Sequence, residues 1–223
     1  MTQHTSTAFE RDIASLRDAT AALFDAVACQ VAGVEKALRD DDVDSARHVL
    51  AQDARVNAAQ MKLDGEIEAI LALRQPRADD LRTVIGISRI SADLERAGDE
   101  LRNIARGLLR MAEVRARPEC APKADLLEGL MILSDMLCDV RTALSDADAK
   151  LAHSVIGRDR MIDDIYRRLL RTLETGLMQT CGAATLEAMA MARALERTGD
   201  HLKNVAEAVL YVRDGSDLRH AGT

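Results

Sequence analysis

The sequence predicts an all-α protein built as two tandem three-helix bundles related by a pseudo-two-fold axis. Apolar residues recur at helical spacing through six long stretches. Aromatic residues make up only 2% of the chain and Trp is absent, so few side chains favour an extended sheet. Similar segments occur in both halves, which indicates one structural unit used twice. The predicted domains are residues 1–117 and 118–223.

The six predicted helices follow from apolar periodicity and from residues that begin or end helices. Asp40 to Asp42 and Asp146 to Asp148 provide N-caps for the second and fifth helices, because aspartate side chains accept hydrogen bonds from free N–H groups. Pro76 suits the entry to the third helix, and the segment PECAP at 118–122 is the predicted linker. The predicted helices span residues 8–39, 42–73, 77–112, 122–145, 147–178 and 183–213.

Two pairs of segments carry the internal repeat. Residues 37–53 and 143–159, offset by 106 positions, share seven of seventeen residues. Residues 94–106 and 195–207, offset by 101 positions, share eight of thirteen. The second pair reads LERAGDELRNIAR and LERTGDHLKNVAE, so glutamate, glycine, aspartate and asparagine recur at the same places. A glycine inside a helix costs about 1 kcal/mol relative to alanine, yet the chain retains one in both copies.

Composition limits the class of function. With a net charge of -7 and both signs interspersed, the chain is not expected to bind nucleic acid or anionic lipid. Because we find neither an apolar run long enough to span a membrane nor a signal peptide, we expect a cytoplasmic protein that meets the membrane only through protein partners. The cysteines are widely spaced and are expected to be buried structural thiols. They are Cys29, Cys120, Cys138 and Cys181.

Acidic and amide side chains form the most informative pattern. On a helical wheel of the fifth helix, Asp159 and Asp163 fall inside the apolar arc, and Asp53 and Asn57 do the same in the second helix. A carboxylate in a packing face is costly to desolvate unless a positive group pairs with it. Neither Asp53 nor Asp159 has a basic residue three or four positions away, so another partner is required.

The third and sixth helices carry further oxygen ligands at intervals of four residues, on the rim of their packing faces. We therefore predict two metal sites, in each of which a hard or borderline cation offsets the repulsion between carboxylates. Magnesium, manganese, calcium or iron suits such ligands better than copper, and zinc is also a candidate. The predicted ligands are Asp53, Asn57, Glu95, Asp99 and Asn103 in the first site, and Asp159, Asp163, Glu196, Asp200 and Asn204 in the second.

An alternative interpretation of the acidic residues involves no metal ion. Basic residues three positions away can neutralise the acids of the third and sixth helices as ordinary surface ion pairs, each worth under about 1 kcal/mol. The chain is then a metal-free all-α interaction adaptor whose acidic rims bind basic patches on partners. The pairs in question are Asp99 with Arg96 and Arg102, and Asp200 with Arg197 and Lys203.

Catalytic activity is not expected, and no catalytic residue is assigned. The sequence has no Glu-x-x-His pair of the kind that di-iron carboxylate oxidases use, and no Gly-rich phosphate loop. The histidines are scattered and are expected to be solvated rather than catalytic. They are His4, His48, His153, His201 and His220.

The repeated segments resemble those of the PhoU family of phosphate-uptake regulators, and the resemblance spans nearly the whole chain. LERAGDELRNIA and LERTGDHLKNVA look like the two copies of that family's E-x-x-x-D motif, and DRMIDDIY carries the companion D-x-x-x-D. RQPRADDLR and VRDGSDLRH are also similar. Asn57 stands where a matching carboxylate is expected, so the first site has one negative charge fewer than the second. The matching residues are Glu95, Asp99, Asp159, Asp163, Glu196 and Asp200.

The resemblance also implies a function. It implies two three-helix bundles, frequent dimerisation, and metal ions on the acidic motifs of some members. It further implies a negative regulator of phosphate uptake and of the phosphate-starvation response. Such a protein connects the ATPase subunit of the phosphate ABC transporter with a membrane sensor histidine kinase when phosphate is ample. We expect this chain to act in the same way, as a homodimer.

Overall fold

Long helices make up nearly all of the chain that the structure describes. A computed structural model describes residues 3–113, 123–177 and 182–215. These ranges contain six α-helices and no strand, which confirms the predicted fold class. No helix within them is long and apolar enough to cross a membrane. The helices are α1 (Gln3–Asp40), α2 (Val43–Arg74), α3 (Asp79–Glu113), α4 (Lys123–Asp146), α5 (Ala149–Leu177) and α6 (Gly182–Asp214).

The predicted helix boundaries lie within two residues of the observed ones except at the start of α1. α1 begins at Gln3 rather than at residue 8, because residues 3–7 are polar and carry no apolar periodicity. α3 begins at Asp79, so Pro76 lies in the preceding turn. That turn has left-handed backbone at Gln75 and Ala78, each with a φ of 49°. The predicted linker at 118–122 lies outside the described residues, and the division into residues 1–117 and 118–223 stays a prediction.

The turn between α1 and α2 and the turn between α4 and α5 are two copies of one structure. Asp42 and Asp148 cap the helices that follow, since each carboxylate accepts from the N–H groups two and three residues later. The preceding residues, Asp41 and Ala147, both have left-handed backbone with a φ of 52°. Each pair is separated by the 106 positions of the sequence repeat. The capping prediction is therefore confirmed in both halves.

The glycines of the repeated motif pack inside their own bundles, which are α1 to α3 and α4 to α6. A Cβ atom on Gly98 would lie 2.8 Å from Oε1 of Gln30 and 3.2 Å from Cγ1 of Val56. A Cβ atom on Gly199 would lie 3.1 Å from Cγ2 of Ile162. Val56 and Ile162 are equivalent residues of the repeat. Both glycines therefore allow the third helix of a bundle to approach its neighbours closely.

α3 and α6 join the two bundles along an antiparallel contact, here called the seam. Gly86 near the start of α3 faces Val212 near the end of α6, and Gly107 near the end of α3 faces Met191 near the start of α6. A Cβ atom on Gly86 would lie 2.1 Å from Cγ2 of Val212, so glycine allows the two helices to pack this closely. The buried apolar side chains form one cluster that includes residues of all six helices. The seam is therefore part of a continuous core.

The antiparallel seam determines the direction of the pseudo-two-fold axis. A two-fold rotation that exchanges two antiparallel, side-by-side helices has its axis perpendicular to the plane that contains both. Equivalent residues of α3 and α6 are therefore exchanged by this axis. The axis relates Glu95 and Asp99 of α3 to Glu196 and Asp200 of α6.

Two cysteines contradict the expectation of buried thiols. Cys29 on α1 and Cys138 on α4 are both exposed, because they lie outside the apolar faces that pack in the core. That expectation is therefore wrong for these two residues. Cys120 and Cys181 lie outside the described residues.

Candidate functional site

The second acidic cluster lies between α5 and α6 and consists of Asp159, Asp163, Glu196 and Asp200. Asp159 is only 6% exposed, and it accepts a hydrogen bond from Nζ of Lys203 at 2.7 Å. Burial, followed by the charges of Asp200 and Asp163, raises the pKa of Glu196. Burial, followed by the charge of Asp159, raises the pKa of Asp200. The four carboxylates therefore lie close enough to repel one another, although Lys203 neutralises part of their charge.

The first acidic cluster lies between α2 and α3 and consists of Asp53, Glu95 and Asp99. Arg102 binds two of these carboxylates, with its Nη1 atom 2.6 Å from Oδ2 of Asp53 and 2.8 Å from Oδ1 of Asp99. Burial, followed by the charge of Asp99, raises the pKa of Glu95. The Oδ1 atom of Asp53 is buried and has no hydrogen-bond partner among the described residues. Asn57 is half-buried on the same helix as Asp53.

Arg102 and Lys203 occupy the same position of the repeat, 101 residues apart. Each reaches from the third helix of its bundle to an aspartate on the second helix, so Asp53 and Asp159 both have basic partners. Inspection of neighbouring turns of one helix misses both partners, because they belong to another helix. The sequence signal that identifies them is a basic residue between leucine and asparagine in both copies of the motif.

Two of the three asparagines predicted as ligands, Asn103 and Asn204, form hydrogen bonds at the seam. Asn204 donates from its amide to Oδ1 of Asp93 at 3.2 Å, and Asn103 donates to Oε2 of Glu100 at 3.1 Å. Asp93 and Glu100 are both buried residues of α3. The amide nitrogens of the asparagines are thus engaged outside the two acidic clusters, and a ligand role for their oxygens stays a prediction.

A polar contact between His201 of α6 and Asp93 of α3 crosses the seam. Nδ1 of His201 lies 3.0 Å from Oδ1 of Asp93, and the histidine side chain is only 13% exposed. Nearby, Arg197 of α6 pairs with Glu100 of α3 at 3.0 Å. The expectation that His201 is solvated is wrong, because α3 covers its ring and supplies an acidic partner.

The predicted local ion pairs form only in part. Arg102 pairs with Asp99 as that alternative expects. Arg197 and Lys203, the expected partners of Asp200, bind Glu100 and Asp159 instead. Arg102, Arg197 and Lys203 therefore each connect two helices, and Arg102 also pairs within its own helix.

The acidic clusters suit a cation by their chemistry, but they do not form a ready-made cage. Over residues 3–113, 123–177 and 182–215, no group of three His, Cys, Asp or Glu side chains is arranged to hold a metal ion. The donors present are carboxylate oxygens, which hard cations prefer, and Oδ1 of Asp53 lacks a partner among the described residues. Metal binding therefore requires carboxylates to turn and Arg102 or Lys203 to move.

The chain is similar in sequence to PhoU proteins. The profile of the PhoU domain matches residues 13–108 and 126–209. A phosphate-specific transport system accessory protein PhoU homolog from Pseudomonas aeruginosa is 35% identical over 224 residues, which cover 100% of this chain and 92% of that protein. The phosphate-specific transport system accessory protein PhoU of Escherichia coli is 32% identical over 228 residues, with coverage of 100% and 92%.

Two solved structures of PhoU proteins have the same fold as this chain. The crystal structure of PhoU from Pseudomonas aeruginosa has a TM-score of 0.88 at 33% identity, covering 93% of this chain and 100% of that chain. The phosphate transport system regulatory protein PhoU from Streptococcus pneumoniae has a TM-score of 0.85 at 24% identity, covering 93% and 98%, and supports the fold. Six helices in two repeated bundles, the paired acidic motifs and full-length similarity agree, and the chain belongs to the PhoU family.

Proposed function

We propose that the chain is an accessory protein of a phosphate-specific transport system that restrains phosphate uptake and the phosphate-starvation response. Its full-length similarity to accessory proteins of that system supports this role. The proposed partners are the ATPase subunit of a phosphate ABC transporter and a sensor histidine kinase. The proposed role is regulatory rather than enzymatic, and the proposed form is a cytoplasmic homodimer.

The position of the two acidic clusters is the observation that carries the proposal. They lie in equivalent places of the two bundles, which meet at the seam, so the molecule presents two related negatively charged patches. Glu95, Glu196 and Asp200 have raised pKa values, with burial and neighbouring carboxylates among the causes, so the internal basic residues leave repulsion in both patches. A basic surface on a partner relieves that repulsion. Two such patches suit a protein that brings two partners together.

We also propose that the clusters bind divalent or trivalent metal ions, with iron, manganese, magnesium or zinc as candidates. When bound, such an ion neutralises the carboxylates and holds the second and third helices of a bundle together. The second cluster is expected to bind more tightly, because Asn57 replaces the carboxylate that Asp163 provides there. The proposed ligands are Asp53, Asn57, Glu95, Asp99 and Asn103, and Asp159, Asp163, Glu196, Asp200 and Asn204.

Affinity capture from cells grown with ample or limiting phosphate tests the regulatory role. The full chain is expected to recover the transporter ATPase or the sensor kinase from cells with ample phosphate. The double variant Glu196→Gln with Asp200→Asn is expected to recover less of either partner. Asp44→Asn with Asp79→Asn is the matched control, because it removes two exposed carboxylates outside the clusters. Recovery of neither partner by the unmodified chain contradicts the proposal.

A metal-free adaptor is the second candidate. It is favoured by the ion pairs of Arg102 and Lys203, which fill the clusters with internal positive charge. Elemental analysis of the purified protein distinguishes the two candidates. Stoichiometric iron, manganese, magnesium or zinc that is lost in Asp159→Ala with Asp163→Ala supports metal binding. Absence of any ion, together with partner binding that weakens steeply as salt rises, supports the adaptor.

A further inference from the structure

We infer that Arg102 and Lys203 are internal cations that occupy the two acidic clusters in the absence of metal, and that a metal ion must displace them to enter. This inference rests on the metal binding proposed above and adds a regulatory element to it. The two side chains then set the metal affinity of clusters to which they contribute no ligand.

The geometry of the two ion pairs supports this role. Nζ of Lys203 lies 2.7 Å from Oδ2 of Asp159, and Nη1 of Arg102 lies 2.6 Å from Oδ2 of Asp53. Both basic side chains are mostly covered, with exposures of 35% and 19%. The two pairs come from equivalent positions of the repeat, so the same arrangement occurs twice within one chain.

A metal ion and an internal cation compete for the same oxygens. Metal–oxygen bonds are about 2.0–2.6 Å long for Mg²⁺ and Ca²⁺. An ion bound to Asp159 while Lys203 remains in place would share one buried carboxylate with an ammonium group, and the two positive charges would repel each other. Entry of the metal therefore requires Lys203 to leave Asp159, and the same reasoning applies to Arg102 and Asp53.

The two clusters differ in how strongly they hold their internal cation. Arg102 contacts both Asp53 and Asp99, and its guanidinium keeps its charge at any physiological pH. Lys203 contacts Asp159 through a single ammonium group. The second cluster is thus expected to exchange its internal cation for a metal ion more readily than the first.

Titration of the full chain with Mn²⁺, followed by calorimetry and electron paramagnetic resonance, tests the inference. Lys203→Met removes the ammonium but retains an unbranched side chain, and it is expected to raise the Mn²⁺ affinity of the second cluster at least tenfold. Lys203→Gln serves as a second variant if Lys203→Met does not fold. Arg197→Met is the matched control, because Arg197 lies on the same helix but pairs with Glu100 across the seam. Its Mn²⁺ affinity is expected to equal that of the unmodified chain.

The possible outcomes separate this inference from the proposed metal binding. Tighter binding by Lys203→Met than by the unmodified chain supports the inference. Binding by the variant alone also supports it, but overturns metal binding by the natural chain. Equal or weaker binding by the variant overturns the inference and leaves the metal proposal in place. If none of the folded proteins binds Mn²⁺, both are overturned. Arg102→Met provides the same comparison at the first cluster, where it is expected to add a second bound Mn²⁺.

Discussion

Gln30 is a fully buried side chain in the first bundle, and neither of its amide atoms has a hydrogen-bond partner among the described residues. The repeat places Met136, which is also fully buried, at the equivalent position of the second bundle. A buried amide without a partner costs free energy, whereas a methionine of similar volume does not. We predict that Gln30→Met raises the free energy of unfolding by about 1–3 kcal/mol. Denaturation with urea measures this change.

The reverse substitution at the equivalent position is the matched control. Met136→Gln places an amide in the core of the second bundle and is expected to lower the free energy of unfolding. A Gln30→Met protein that is less stable than the unmodified chain would contradict the prediction, since it would mean that the amide stabilises the first bundle.

At the residue scale, the sequence predicts where the acidic side chains lie better than it predicts which basic side chains they contact. Helical spacing assigns Asp159 to the packing face of its helix, and the structure indeed finds it buried. The partner of Asp159 is Lys203, which is 44 residues away, and such pairing depends on how two helices pack. A helical wheel shows which face is apolar, but it does not show which side chains meet across a contact.

The glycines of the seam give a prediction at the scale of helices. A Cβ atom on Gly86 would lie 2.1 Å from the branched side chain of Val212, so Gly86→Ala requires the Val212 side chain or the two helices to shift. We expect this substitution to lower the free energy of unfolding by about 1–3 kcal/mol. Thermal unfolding followed by circular dichroism measures it.

Gly157 of α5 is the control for Gly86, because it is also a helical glycine but has nothing within 4 Å of an added Cβ atom. Gly157→Ala is expected to raise the free energy of unfolding by up to about 1 kcal/mol through helix propensity alone. Equal effects of the two substitutions would contradict the close packing assigned to the seam.

The cap of α2 makes stability depend on pH. Hydrogen bonds from Lys36 and Ser45 hold the pKa of Asp42 well below its ordinary value of 3.8. The unfolded chain therefore binds this proton more readily than the folded chain, so stability rises with pH in this range. The contribution of Asp42 is present above pH 3.8 and is lost as the pH falls below that value.

We predict that Asp42→Ala lowers the melting temperature at neutral pH, and that the difference from the unmodified chain shrinks toward about pH 2. Asp148→Ala removes the equivalent cap of α5. It is expected to lower the melting temperature at neutral pH as well. A difference for Asp42→Ala that stays constant between acid and neutral pH would contradict this prediction.

At the scale of the whole molecule, the continuous core predicts cooperative unfolding. The buried apolar cluster includes residues from both bundles, and α3 and α6 contact each other over most of their length. We therefore expect one calorimetric transition in which the measured enthalpy equals the van't Hoff enthalpy. Two resolved transitions would show that the bundles unfold independently.

Sequence predicts the helices of this molecule and their duplication, because periodicity, caps and repeats are local signals. The capped turns at Asp42 and Asp148 were predictable for this reason. The seam was not, because it brings together residues such as Asp93 and His201, which are 108 positions apart. Their contact depends on the orientation of one bundle against the other, and no local pattern records that orientation.

The charges across the seam make the two halves of the chain unequal. His201 contacts Asp93, whereas the residue of the first half equivalent to His201 is Glu100. Two copies of the first half arranged in the same way would bury Asp93 against Glu100, acid against acid. Two copies of the second half would place His201 against Ala194, which offers no acceptor side chain. The second half therefore supplies the imidazole and the first half supplies the carboxylate, and neither half contains both partners of this contact.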